Sequence, residues 1–182
     1  MNRTRTSLPA LLIAIHRIDV SLFLWVMQRK HLALGSRICR TVSRTADGYA
    51  YPLAALAGWQ WGGEIGRAYA LALALTFLLE RPLYFILKRG LKRNRPAATL
   101  PDFRSFIVPA DQFSFPSGHT SGAFAMATLL LLFFPALALP AFLWAALVGA
   151  SRVTLGVHFP TDILAGMVMG ISTAGLCAAW LS

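Results

Sequence analysis

The sequence predicts an all-α fold, a polytopic membrane bundle of five to six transmembrane helices, and three observations carry that expectation. Of 182 residues, 57% are hydrophobic and only 13% are charged, about half the charged share of an ordinary soluble domain. Mean hydropathy is +0.60. The apolar residues gather in runs near the ~20 residues a helix needs to cross a bilayer. A single domain over residues 1–182 accounts for the chain, with N-terminal helices over 1–48 and the main bundle over 49–182.

The N-terminal helices read differently from the rest. Arg3 and Arg5 precede the apolar run Leu8 to Ile15, a superficial likeness to a signal peptide. His16, Arg17 and Asp19 follow at once without a small-residue cleavage site, so the segment is read as retained. Over 8–28, Leu8, Leu11, Leu12, Ile15, Ile18, Leu22, Trp25 and Val26 recur at helical spacing with charges midway. That pattern suits a helix lying in the interface better than one spanning it, and a tilted span is the alternative. Residues 31–44 are similar, with Leu34, Ile38 and Val42 on one stripe and Arg37, Arg40 and Arg44 elsewhere. Asp47-Gly48 then reads as a turn with an N-cap.

The remaining elements read as spans. Residues 49–63 form a short apolar segment with Trp59 and Trp61 at headgroup level and a Gly62-Gly63 turn. Residues 67–87 follow, and Glu80, Arg81 and Pro82 mark an early exit from the hydrocarbon, the first two as an ion pair, with contact to substrate as the alternative. A polar stretch covers 92–115, where Asp102 and Asp111 read as solvated. Spans over 117–134 and 141–157 flank a charge-free turn from Pro135 to Pro140, and a last span covers 161–181.

Net charge is +10, which would admit nucleic acid. The cations instead form two bands, Arg29 to Arg44 and Lys88 to Arg104, each beside apolar segments. Such bands contact anionic headgroups or set orientation, so the bilayer is the expected partner and nucleic acid is not. Cys39 and Cys177 lack metal-ligand spacing and read as free thiols.

Three polar clusters interrupt this apolar chain: Lys88 to Arg95-Pro96, Pro116-Ser117-Gly118-His119, and Ser151-Arg152 to His158 and Asp162. Charges near lipid are costly, so such clusters point to function. Counting crossings brings them together. The first two are joined by one loop, and the chain crosses, turns at Pro135–Pro140 and returns to the same face at the third.

Lys88, Arg95 and Arg152 suit phosphate oxygens, the arginines as rigid forks. Ser117 and Gly118 open a helix, whose free N–H groups and dipole favour an anion. His119 and His158 supply a proton donor and a nucleophile. Asp162, in the first turn of the last helix, can orient His158. Singly, each has an ordinary explanation: Lys88, Arg89, Lys92 and Arg93 as interfacial anchors, Ser117 as an N-cap, His119 as a satisfied interfacial histidine, Asp162 as a complement to the helix dipole. On one face, their shared chemistry outweighs those explanations.

Lys88-x6-Arg95-Pro96, Pro116-Ser117-Gly118-His119 and Ser151-Arg152-x5-His158-x3-Asp162 together resemble the three-part signature of the type 2 phosphatidic acid phosphatase (PAP2) superfamily. That family includes bacterial undecaprenyl-diphosphate phosphatases and, more distantly, vanadium haloperoxidases. The resemblance covers roughly residues 50–182. It implies that His158 is the nucleophile that becomes phosphohistidine, with Asp162 as its partner. It implies that His119 is the general acid, and that Lys88, Arg95, Arg152, Ser117 and Gly118 hold the phosphate. It implies no metal and no other cofactor.

The substrate class implied is a membrane lipid with a phosphate or diphosphate headgroup: undecaprenyl diphosphate, phosphatidylglycerol phosphate, phosphatidic acid or a lipid A phosphate. Lipid-to-lipid phosphotransfer would use the same residues, so hydrolysis and transfer both stand at this point. A haloperoxidase has no need of a lipid-embedded bundle. Bacterial relatives of this family commonly face the periplasm from the inner membrane. The positive-inside count of Arg29, Lys30, Arg37, Arg40 and Arg44 argues for a cytoplasmic active site.

Overall fold

The structure, a computed structural model, describes residues 7–28 and 32–181. Helices α1 (Ser7–Met27) and α2 (Leu32–Thr45) come first. Next, α3 (Ala50–Trp61) and α4 (Gly63–Leu91) form a hairpin about Gly62-Gly63. The short α5 (Pro96–Thr99) lies in the polar stretch, and α6 (Gly118–Phe133), α7 (Ala138–Thr154) and α8 (Pro160–Leu181) complete the bundle. The described residues contain no strand, only a single bridge between Asn94 and Phe113 that ties the two ends of the α4–α6 connection.

The bundle is all-α, as the sequence predicts, but its apolar segments differ in reach. Three segments, α4, Pro135–Thr154 and α8, are long and apolar enough to cross a membrane, and α6 is a shorter apolar helix. Helix α3 has 12 residues and rises about 18 Å, short of the ~30 Å hydrocarbon core. Helix α4 reaches beyond the span expected over 67–87 at both ends. It runs unbroken through Pro82 to Leu91, so Arg81, Tyr84 and Lys88 share one helical face at i, i+3 and i+7. That stripe builds the site described below.

Lipid is as apolar as a leucine side chain, so burial alone does not hold such a bundle together; close packing at small residues does. One such seam is between α6 and α8. A Cβ on Gly170 would stand 2.2 Å from the Ser121 carbonyl oxygen, and one on Gly166 would stand 2.5 Å from that of Ser117. Only glycine allows this approach, and it lets the Ser117 N–H donate to the Asp162 carbonyl at 3.0 Å. The start of α6 and the start of α8 are thereby fixed to each other.

Helix α1 packs against α7 and α8. Its Phe23 is fully buried and meets the rings of Phe103 and Phe159 at 5.1 and 5.5 Å between centroids. Asp19, on the same helix, is also buried. Helix α2 packs on α7, where Trp144 donates to Thr45 Oγ1 at 2.8 Å. Cys39 and Cys177 are free, as expected. Arg29 and Lys30 lie outside the described residues.

Candidate active site

A cavity of about 600 Å³ opens where the C-terminal part of α4 meets the starts of α6 and α8, and Lys88, Arg95, Gly118, His119, Arg152 and His158 all line it. Six of the eight residues predicted from the sequence thus meet at one opening. Ser117 and Asp162 are fully buried and stand behind it.

His158 lies between α7 and α8 in the segment Gly156–Phe159 and is almost wholly buried. Its Nε2 is 3.4 Å from Arg95 Nη1. A guanidinium only donates, so Nε2 faces it with a lone pair and the ring proton belongs on Nδ1. Nδ1 is 3.6 Å from Asp162 Oδ2 and has no hydrogen-bond partner. That separation is within ion-pair reach. Burial pulls the imidazole pKa down to about 4, Asp162 opposes this, and the Arg95 charge adds to it. His158 is therefore neutral near pH 7, the form a nucleophile needs.

Asp162 is held from three sides. Oδ2 accepts the Phe159 N–H at 2.8 Å, and Oδ1 accepts from Arg93 Nη1 at 2.7 Å. Arg93 also pairs with Asp19, donates to Thr161 Oγ1 at 2.7 Å and lies 4.6 Å over the Phe159 ring. The Thr161 N–H donates to Asp19 Oδ1 at 2.9 Å. Arg93, read from sequence as an interfacial anchor, is instead the link between two buried carboxylates.

Asp111 overturns another expectation. It is not simply solvated: its carboxylate accepts from Lys88 Nζ at 2.9 Å and from Arg95 Nη2 at 2.6 Å. Tyr84 donates to the same group at 2.9 Å, and Arg95 Nε donates to its backbone carbonyl at 3.0 Å. Partial burial acts to raise its pKa, but the Lys88 and Arg95 hydrogen bonds prevail and hold it at about 2. A carboxylate thus occupies the space between the two cations expected to hold phosphate.

His119 Nε2 is 2.9 Å from Asp47 Oδ1. Tyr49, not Asp47, holds the N-cap position of α3, so the Asp47 side chain serves the histidine instead of a turn. Arg152 donates to Ser43 Oγ of α2 at 2.6 Å, while its buried Nε has no partner, a donor left for an incoming oxygen. Gly118 lies against Tyr84, whose ring a Cβ would meet at 2.9 Å. Ser117 departs from expectation. Its N–H is taken by the Asp162 carbonyl, and its hydroxyl caps α6 through Thr120, so it orders the helix start and does not reach the cavity.

Comparison with known proteins shows the family. The PAP2 superfamily profile matches residues 65–182, well over half of the chain. The chain belongs to the PAP2 superfamily. Bacillus subtilis undecaprenyl-diphosphatase BcrC is 30% identical over 122 residues, covering 67% of this chain and 63% of its own length. Bacillus subtilis phosphatidylglycerophosphatase B is 38% identical over 113 residues, covering 56% and 52%. The chain spans between about half and two thirds of the length of these relatives. The crystal structure of Aquifex aeolicus LpxE superposes with a TM-score of 0.74 at 29% identity, covering 88% of this chain and 94% of that one.

Asp19, which sequence reasoning missed, and Asp47, which it read first as a turn and only second as a partner at this face, lie ahead of the PAP2-matched stretch. Asp19 did carry a signal: it is the sole acidic residue in a largely apolar helix, and a charge in such a setting calls for a partner. For Asp111 there was none, because an aspartate in a polar loop reads as solvated until its partners 16 and 23 residues away are known.

Proposed function

We propose that this PAP2 chain is a lipid phosphatase that cleaves a phosphate or diphosphate headgroup through a phosphohistidine on His158. The observation that carries this reading is the setting of His158: a buried, neutral imidazole with its Nε2 lone pair toward a cavity walled by Lys88, Arg95 and Arg152. In the first step Nε2 attacks phosphorus while the bond to the leaving oxygen breaks, and the proton on His119 goes to that oxygen. Asp162 stabilises the charge that grows on the ring, and the cations stabilise the charge on the equatorial oxygens. In the second step His119 takes a proton from water, the oxygen attacks phosphorus and the N–P bond breaks. Inorganic phosphate and free His158 result.

Hydrolysis is preferred over transfer to a second lipid because the site also has a polar opening. A cavity of about 460 Å³, lined by Arg40, Arg44, Asp47, His119 and Arg152 beside loop 106–110, adjoins the site at His119. That is a route for water. The substrates proposed are undecaprenyl diphosphate, phosphatidylglycerol phosphate, phosphatidic acid or a lipid A phosphate.

The test is phosphate release by purified protein in detergent with EDTA from those four lipids, beside His158→Ala. Release that survives EDTA and disappears in the variant is expected. Release that persists in His158→Ala would sink the mechanism, and release that requires a second lipid would turn the reading to phosphotransfer.

We further propose the bacterial inner membrane with the site facing the periplasm, the habit of the family's bacterial members. One cation of the opposing count, Arg40, is engaged within the protein, donating to the Phe106 carbonyl at 2.7 Å, so the count overstates headgroup contacts. Helix α8 starts at the site and crosses once. A fluorescent reporter fused after Ser182 is then expected to fold in the cytoplasm, and an alkaline phosphatase reporter there to be inactive. The reverse pattern would reverse the orientation.

A further inference from the structure

Arg81 lines the same cavity as His119 and His158, although it belongs to none of the three polar clusters. Its guanidinium lies 4.9 Å from the centroid of the Tyr84 ring, and Lys88 Nζ lies 4.5 Å from the same centroid. Two cations therefore share one aromatic platform, one at the phosphate end and one a turn or two deeper along α4.

The mounting of Arg81 is unusual. Nε and Nη2 both bind Glu80, which is wholly buried and also accepts from Ser121 of α6. A buried carboxylate inside an apolar bundle is costly, and here its partners aim the adjacent guanidinium into the cavity. Nη1 makes no hydrogen bond among the described residues, and the side chain is 39% exposed. The fork is thus fixed on one edge and open on another.

What lies beyond Arg81 is apolar. A groove of about 540 Å³ between α3 and α4 is lined by Tyr51, Pro52, Ala55, Leu56, Leu73 and Phe77. It shares Gly48 and Tyr51 with the active-site cavity, and Phe77 lies 5.7 Å beneath the Arg81 guanidinium. Arg81 therefore stands where the phosphate cavity passes into a channel suited to a hydrocarbon chain. The other cationic opening, at Arg40 and Arg44, leads instead to loop 106–110.

We infer that Arg81, braced by Glu80 and Ser121, is a second anion subsite that binds the lipid-linked phosphate of a diphosphate substrate. This rests on the phosphatase reading above and deepens it to lipid diphosphates. The terminal phosphorus lies at His158, and the bridging oxygen lies toward His119. When the His158 Nε2–P bond forms, the bond from that phosphorus to the bridging oxygen breaks. The electron pair stays on the oxygen, and the His119 proton joins it. The leaving group is a lipid monophosphate, and Arg81 meets its charge while the tail occupies the groove. A lipid monophosphate has no second phosphoryl group to place there.

The experiment measures binding of methylenediphosphonate and of inorganic phosphate to the purified full-length protein by calorimetry, in wild type and Arg81→Gln, and so needs no turnover. Wild type is expected to bind the diphosphonate at least about tenfold more tightly than phosphate, the scale of one strong charge-assisted contact. Arg81→Gln is expected to erase most of that difference and leave phosphate binding within about twofold. No preference in wild type, or an equal loss for both anions in the variant, overturns the subsite.

If Arg81→Gln leaves Glu80 unpaired and fails to fold, the double variant Glu80→Gln/Arg81→Gln removes both buried charges and faces the same criterion. Should wild type prefer the diphosphonate through Arg81 yet release no phosphate from any lipid diphosphate, the phosphatase reading falls while the subsite stands.

Discussion

Asp111 shows how a single residue can set the resting state of this site. Its carboxylate bonds Lys88 and Arg95, the two cations proposed to hold phosphate, so a substrate bound there would displace it or share them. Removing its charge frees Lys88 and Arg95. Asp111→Asn is therefore expected to tighten inhibition by inorganic phosphate about three- to tenfold, in keeping with the roughly 1 kcal/mol of a half-exposed pair. Weaker phosphate inhibition in the variant would mean that Asp111 chiefly orders the cations. His158 and Arg152 were legible in the sequence because their spacing within one short segment is itself the signal. Asp111 and Arg93 were not, because loop charges have no local pattern that names a distant partner.

At the scale of elements, α1 is more than an attachment to the bundle. It carries Asp19, which holds Arg93 and Thr161, and Arg93 in turn holds Asp162. Asp19→Asn and Arg93→Ala are each expected to lower kcat about tenfold or more with a smaller change in KM, because they act on Asp162 and not on the lipid. The double variant is expected to be scarcely worse than either single one, since both break one chain of contacts. Full additivity would separate Asp19 from the site. The hydropathy pattern located α4, α7 and α8 well. It placed the end of α4 at residue 87, short of Leu91, and it gave α3 more reach than its twelve residues supply. The buried Glu80, with Arg81 and Ser121, explains how the charges stay inside an unbroken helix.

For the whole molecule, the buried imidazole of His158 ties the fold to pH. Its pKa is about 4 in the folded chain against an ordinary 6.5, so between those values the unfolded chain binds a proton that the folded chain refuses. Stability from this group is complete above about pH 6.5 and declines as pH falls toward 4. Asp111, held near 2, acts in the same direction only at lower pH. Thermal melts in detergent are expected to fall between pH 7 and 4.5, and to fall less steeply in His158→Gln. Parallel slopes would remove His158 as the cause.

That the three polar clusters share one cavity was legible because the helices between them can be counted. The closure of that face by α1 and α2 was not, since their contacts to it come from residues as far as 142 positions away.

The cavity borders two spaces of opposite character, the apolar groove between α3 and α4 and the polar opening beside Arg40 and Arg44. A reaction with one oily and one water-loving product can then run like a turnstile. On the proposed reaction the spent lipid would back out into the bilayer, while phosphate would depart on the wet side. Neither traveller would have to wait for the other to clear the doorway, and a fresh lipid would queue in the groove before the last phosphate had gone.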